Sequence, residues 1–346
     1  MDVRSIMSGQ RKDPLALLLC GATRMAAPFY GLATRYRNRR FDRGSAEIHR
    51  AGAPVISVGN ITTGGTGKTP TVAWIARHLR QQGVRVSIVS RGFRADETGV
   101  NDEALELEQR LPDVPHIQNP DRVEAARVAT EELDTQLIVM DDGFQHRRLH
   151  RDLDIVLIDA TCPFGYDHLL PRGLLREPLS GLSRADVILL TRASMANESE
   201  RQRIQERIRQ FNDDALWVEC DHKPSHLQHH GKEDRPLTEL KDKNVLAISA
   251  IGNPSAFLET LRDLGSNVIA GREFPDHHHY DREDLVAIRE WITEHPKAEC
   301  VLCTQKDLVK LQTSQIAGVP LYAVCIEMKI ASGRDHFTAL IDAVAQ

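Results

Sequence analysis

The chain has no uninterrupted apolar run of the roughly 20 residues that a membrane-crossing helix needs. Near the N-terminus two apolar stretches, Leu15-Ala-Leu-Leu-Leu-Cys and Met25-Ala-Ala-Pro-Phe-Tyr-Gly-Leu, are split by Arg24. No small-residue cleavage site with signal-peptide flanks accompanies them. A cysteine framework is missing too. The six cysteines, at 20, 162, 220, 300, 303 and 325, have no disulfide spacing, which fits a reducing compartment. Cys300-Val-Leu-Cys303 lies inside an apolar run and reads as buried strand, not as a metal or redox pair. Nor is there an excess of positive charge. A net charge of −5 argues against wholesale nucleic-acid binding.

What remains is ordinary for a soluble α/β protein, 41% hydrophobic and 27% charged, and 346 residues suggest two domains. The informative stretch is 54–70. An apolar run, residues 55–58, reads as a buried strand; Thr71-Val-Ala-Trp-Ile-Ala-Arg-His-Leu has the period of a helix. Between them lie Thr62, Thr63, Gly64, Gly65, Thr66, Gly67, Lys68 and Thr69. Strand, glycine loop and helix N-terminus form a phosphate cradle whose backbone N–H groups can close on phosphate oxygens. Lys68 reaches the β- and γ-phosphates of a nucleotide, and the Thr69 hydroxyl suits Mg²⁺. The strict pattern asks for glycine where Thr62 stands, yet Gly-Gly-x-Gly-Lys-Thr sits in the required strand–helix context.

Apolar strands recur at 84–90, 136–140, 154–159 and 185–190. The second of these runs directly into Asp141 and Asp142, where a parallel sheet places its ligand and where a P-loop site needs carboxylates for metal. Further strands are expected at 244–250, 299–304 and 321–326, with helices at 103–110, 255–264 and 281–295. His222, His226, His229 and His230 lie in a polar stretch without acidic or thiol support and read as solvated loop residues. Arg35, Arg37, Arg39, Arg40 and Arg43 follow the apolar N-terminal segment, the composition of a helix lying on an anionic membrane surface or packed with a solvated basic face.

Gly59-Asn60 through Lys68-Thr69-Pro70, Asp141-Asp142-Gly-Phe-Gln-His146, Arg151-Asp152-Leu-Asp-Ile and Leu170-Pro to Leu175-Arg-Glu-Pro178 together resemble the tetraacyldisaccharide 4'-kinase (lipid A 4'-kinase) family. Gly252-Asn253-Pro254, Phe274-Pro-Asp-His277-His278 and Thr304-Gln-Lys-Asp307 extend the resemblance over most of the chain, in order. The resemblance implies ATP and Mg²⁺ as cofactors. It implies transfer to the 4'-hydroxyl of an acylated disaccharide 1-phosphate lipid, at the cytoplasmic face of the bacterial inner membrane. By the same similarity Asp102 is the base, assisted by His277, and Gln145, His146, Arg176 and Glu177 line the substrate cleft. Asn101-Asp102-Glu103-Ala104 departs from the family's Gly-Asp-Glu-Pro, Arg172 and Leu174 replace the usual Ala and Pro, and Gln305 replaces Glu.

The expected architecture is α/β: a P-loop NTPase-like, mostly parallel sheet flanked by helices over 53–223, a linker at 224–236, and a smaller α/β domain over 237–346. Residues 1–52 form a membrane-docking segment, with the last helix able to return to the first domain. Two rivals share the cradle and the aspartate pair. A membrane-recruited ATPase switch needs no acceptor hydroxyl, and a soluble small-metabolite kinase needs no docking segment.

Overall fold

The computed structural model describes residues 13–92, 102–275 and 278–346, together with Met7. In chain order the elements begin with α1 (Pro14–Asp42), β1 (Val55–Asn60), α2 (Lys68–Gln81), β2 (Val86–Ser90), α3 (Asp102–Arg110), β3 (His116–Gln118) and α4 (Arg122–Glu132). Next come β4 (Leu137–Asp141), β5 (Leu153–Asp159), β6 (Val187–Thr191), α5 (Glu198–Arg209), β7 (Leu216–Gln228) and β8 (Arg235–Pro236). The last are β9 (Asn244–Ser249), α6 (Pro254–Asp263), β10 (Asn267–Glu273), α7 (Arg282–Thr293), β11 (Cys300–Thr304), α8 (Gln305–Leu311), β12 (Gln315–Ile316), β13 (Val319–Ser332) and α9 (Arg334–Ala345).

The chain divides into two compact units. Met1–Phe93, Leu111–His222 and Met328–Gln346 form the first. Its strands run β7-β6-β5-β1-β4-β2-β3, all pairings parallel. Every residue of β1, β2, β4 and β6 is buried, as expected of strands covered on both faces. Over β2 and its neighbours α4 lays Ala125, Ala126 and Ala129, small residues that let the helix backbone approach Val89 of β2, Val55 of β1 and Ile138 and Met140 of β4. At the chain's end α9 returns to α2, where Phe337 stacks on Trp74 and Asp342 pairs with His78 Nε2 at 2.7 Å.

Arg94–Arg110 and Lys223–Glu327 form the second unit. Its strands run β10-β9-β11-β13 in parallel, with β12 antiparallel on β13 and β8 antiparallel on β7. α3 belongs here because Arg110 donates to the Ile326 carbonyl at 2.8 Å and to the Gln305 side chain on α8. Residues 224–236, which composition suggests as a linker, carry the end of β7 and all of β8. The polar side chains there hide an edge strand, and His229 is buried edge-on against Tyr322 instead of solvated. Cys300 and Cys303 are buried strand thiols.

The Thr304-Gln-Lys-Asp307 motif has a structural cause. Thr304 caps α8, with its hydroxyl 2.6 Å from Asp307 Oδ2, in a reciprocal capping box. Asp307 is fully buried, and its Oδ1 accepts from the Tyr280 hydroxyl (2.9 Å) and the Ala250 N–H (3.1 Å). One carboxylate thus joins α8, the end of β9 and the segment before α7. Replacing Asp307 with Ala leaves those donors unsatisfied and should cost about 2–4 kcal/mol, against about 1 kcal/mol for Thr304→Ala. Denaturant unfolding of the two variants checks the order; equal losses would refute the shared-carboxylate account.

Candidate active site

The site is assembled at the C-terminal ends of β1 and β4, neighbours in the first unit. The loop leaving β1 turns through Gly64 (φ +115°) and Gly67 (φ +90°), conformations that side chains resist. Gly67 has a second constraint: a Cβ there would lie 2.0 Å from Cε1 of His222. His222 therefore rests on the loop's last glycine from the middle of β7, a correction to its reading as a solvated loop residue. Gly65 faces open space, with nothing within 4 Å of a Cβ. Arg192 donates to the Gly65 carbonyl at 2.8 Å and pairs with Asp159 at the end of β5.

A short antiparallel contact braces the first half of the loop. Thr62 pairs with Leu175, the Thr63 N–H donates to the Leu174 carbonyl (2.8 Å), and the Arg176 N–H donates to the Ile61 carbonyl (2.8 Å). Asn60, fully buried at the end of β1, joins the parts. Its amide donates to Thr66 Oγ1 (2.8 Å), its Oδ1 accepts from Arg176 Nη1 (3.0 Å), and its carbonyl accepts from Gln145 Nε2 (2.9 Å). Sequence reasoning gave Asn60 no role. The available signal was a polar residue closing an otherwise apolar strand just before the glycine loop.

Asp142 is the electrostatic centre. It follows β4 with φ +51°, and the Arg176 guanidinium grips both its oxygens, at 2.6 and 2.8 Å. Lys68 Nζ stands 3.6 Å from the same carboxylate. Burial opposes ionisation of Asp142, but the Arg176 hydrogen bonds and then the Lys68, Arg176 and Arg122 charges prevail and hold it well below the usual carboxylate range. Asp141 is buried at the strand end, and its Oδ1 accepts the Asp142 N–H at 2.9 Å. Thr69 is buried in the first turn of α2. Lys68, Thr69, Asp141, Asp142, Arg176 and Gln145 thus all belong to one assembly within the first unit.

Glu177 departs from its expected place in a substrate cleft. It is fully buried, and Gln145 (2.9 Å), Asn38 (2.9 Å) and Arg184 (2.9 Å) all donate to its carboxylate. Its contacts fix Gln145 and the loop behind Arg176. α1 takes part in the same brace, since the Tyr30 hydroxyl donates to the Arg176 carbonyl at 2.9 Å. Tyr30, Thr34 and Asn38 share one face of α1. Leu18, Met25, Phe29, Leu32 and Tyr36 form a stripe on the opposite face and are all exposed. Among the described residues, no helix is long and apolar enough to cross a membrane. Asp102 opens α3 in the second unit, where only its backbone is described, and His277 lies outside the described residues.

The sequence profile of tetraacyldisaccharide-1-P 4'-kinase, LpxK, matches residues 22–346. The chain belongs to this family. Tetraacyldisaccharide 4'-kinase of Anaeromyxobacter sp. strain K is 37% identical over 355 residues, covering 96% of this chain and 93% of that protein. The enzyme of the same name from Geobacter sulfurreducens is 34% identical over 343 residues, covering 94% of each. A crystal structure of Aquifex aeolicus LpxK in complex with ATP superposes with a TM-score of 0.77 at 29% identity, covering 95% of this chain and all of that one. The P-loop α/β fold expected from the residues is the fold of the family.

In this kinase-family chain His146 sits beside the cationic group just described. Burial first, and then the neighbouring Arg122 charge, lower its pKa to about 4. An unfolded histidine takes up its proton near 6.5, so the folded state binds fewer protons between pH 6.5 and 4. Stability that His146 leaves intact above pH 6.5 is lost as pH falls through that window. His146→Gln should flatten this part of the curve in urea titrations at pH 4.5–7; an unchanged slope would place the acid sensitivity elsewhere.

Proposed function

We propose that the first unit binds ATP at 62–69 and transfers its γ-phosphoryl group to the 4'-hydroxyl of a tetraacylated glucosamine disaccharide 1-phosphate, a step in lipid A biosynthesis. The observation that carries this is the glycine loop meeting Lys68, Arg176 and Asp142 at one point, in a chain of this family. Lys68, Arg176 and Arg122 bring three positive charges against the two carboxylates of Asp141 and Asp142, an excess that a polyphosphate would neutralise.

The residues fit ATP and Mg²⁺. Positive-φ glycines and the open space at Gly65 leave room for phosphate oxygens against backbone N–H groups. Thr69, Asp141 and Asp142 would hold Mg²⁺, whose octahedral shell otherwise comes from water and phosphate, so one or two carboxylates suffice. When bound, the ion supplies charge neutralisation on the β- and γ-phosphates. Lys68 turns from Asp142 to the γ-phosphate, and Arg176 keeps Asp142 ionised and oriented. Asn60 fixes the loop through Thr66. Asp102 accepts the proton of the attacking sugar hydroxyl, and His277 assists it.

The acylated acceptor resides in a bilayer, and α1 supplies the docking surface for a peripheral enzyme on the cytoplasmic face of the bacterial inner membrane. The apolar stripe from Leu18 to Tyr36 continues toward Arg39, Arg40 and Arg43, all exposed. Apolar side chains beside a basic end suit an anionic interface.

Labelled ATP, Mg²⁺ and the acylated disaccharide 1-phosphate in detergent micelles provide the first test. Wild type should label the lipid, and Asp102→Ala should lower kcat by about 10²–10⁴-fold. Full turnover in that variant would remove Asp102 as base; ATP hydrolysis without labelled lipid would favour the switch. For docking, Met25→Ser, Phe29→Ser and Leu32→Ser together leave Tyr30, Thr34 and Asn38 intact, which deletion of residues 1–35 would not. Recovery with vesicles containing anionic lipid should fall at least tenfold while the KM for ATP holds; undiminished recovery would end the docking assignment.

A further inference from the structure

In the second unit, the segment between β10 and α7 carries three adjacent histidines, at 277, 278 and 279. His277, given an assisting role in the proposed transfer, lies outside the described residues, but both its flanks are described. The His278 N–H donates to the Pro275 carbonyl at 3.0 Å, which pins those flanks together. The His278 ring stacks on Phe274, 5.0 Å between centroids, and meets Tyr280 edge-on at 5.5 Å. Phe274 lies 5.6 Å from the Arg272 guanidinium over its ring, and Arg272 Nη1 donates to the Ala287 carbonyl of α7 at 2.7 Å.

The remaining bonds of His278 run to two helices. Its Nε2 lies 2.6 Å from Asp284 Oδ2 in the first turn of α7, and its carbonyl accepts from Lys310 Nζ on α8 at 3.0 Å. Asp284 already accepts the Asp281 N–H in the capping box of α7, and a carboxylate has no proton to give, so Nε2 is the donor. Lys310 follows Asp307 by three residues, on the same side of α8, and Asp307 receives the Tyr280 hydroxyl at 2.9 Å. Two side chains one turn apart on α8 therefore hold residues 278 and 280, while α7 holds 278 through Asp284. His279, between them, is exposed. Connecting loops are ordinarily the loosest parts of a fold, and one clamped by two helices and a strand end is a scaffold for a side chain that must not move.

We propose that His278 is the positioning residue for His277. This rests on the kinase reading above, in which His277 assists Asp102, and it adds the group that fixes the assisting histidine. The Nε2 and the ring face of His278 are already engaged, so its part is played through the backbone it shares with His277 and not by contact with a reacting atom. Help in proton removal requires hydrogen-bond reach, and a histidine on a loose loop would have to be ordered again in every turnover. Phe274, Asp284 and Lys310 do that ordering beforehand. Lys310 and the buried Asp307 of α8 thereby bear on the reaction by way of residues 278 and 280.

A double-mutant cycle on kcat tests the assignment, with labelled ATP, Mg²⁺ and saturating micellar acceptor. His278→Ala should lower kcat about 10- to 100-fold, the cost of misplacing a group by about an ångström, while the KM for ATP stays within about twofold of wild type. His278→Gln, whose amide can still donate to Asp284, should recover part of the loss. With His277→Ala already present, His278→Ala should cost less than about threefold, because no side chain is left to position. Losses that simply multiply would overturn the proposal. So would a loss in His278→Ala when His277→Ala alone turns over at full rate, since His278 would then act without His277. Should His278→Ala fail to fold, Lys310→Met, which leaves the rings in place, goes through the same cycle under the same limits. Wild type that hydrolyses ATP without labelling the lipid would sink the kinase reading, and this assignment with it.

Discussion

A single guanidinium, Arg176, bridges the carboxylate after β4 and the buried amide at the end of β1, and its backbone is bonded to the glycine loop. Bidentate geometry fixes the plane of Asp142 as well as its distance, which a lysine at the same position could not do. The Asp142 carboxylate in turn receives Lys68. Arg176 itself is held from behind by Tyr30 on its carbonyl and by the buried Glu177 beside it. The glycine loop, the Asp142 carboxylate and Lys68 therefore share one rigid reference, the condition under which, on the proposed reading, electrostatic stabilisation needs little reorganisation during transfer.

Sequence reading reached the elements that carry periodic apolar pattern and missed those that do not. β1, β4, β5 and β6 are buried on both faces, and their continuous apolar runs mark them from composition alone. β3 has three residues, none of them fully buried, and β10 alternates exposed with half-buried positions, so neither stands out. The Lys68 and Asp142 neighbourhood was readable because a phosphate cradle needs a strand, glycines and a helix in consecutive order. Arg122 and Arg192 were not, because their place at the site comes from sheet order and loop conformation. Glu177 shows the converse error. A charged residue in a recognised motif suggested contact with substrate, while its three internal donors give it a bracing role.

The same distinction explains the second unit. Thr304 and Asp307 belong to a motif of the family, and the geometry assigns them to a helix cap and a buried crosslink. Their side chains are needed to hold β9, α8 and Tyr280 together, whatever chemistry occurs nearby. Within that motif Gln305 stands where the family usually has Glu, and it accepts a hydrogen bond from Arg110 Nη2. A neutral amide can accept that bond as a carboxylate would, while Glu106 already supplies the charge. The substitution is therefore compatible with the packing.

α1 links two scales of the molecule. Its inner face holds Tyr30, Thr34 and Asn38, and two of these bond directly to Arg176 and Glu177. Its outer face leaves Met25, Phe29 and Leu32 in solvent, where full burial of each such side chain would be worth about 1.5–3 kcal/mol. In a 29-residue helix these faces are fixed relative to one another by the backbone hydrogen bonds. On the docking reading, a lipid surface that orients the outer face also orients the carbonyl of Arg176. The helix is then part of the acceptor side of the site as well as its attachment. A flexible tether could concentrate the enzyme at the bilayer equally well, but it could not present the cradle at a defined height and angle to a hydroxyl at the lipid–water boundary.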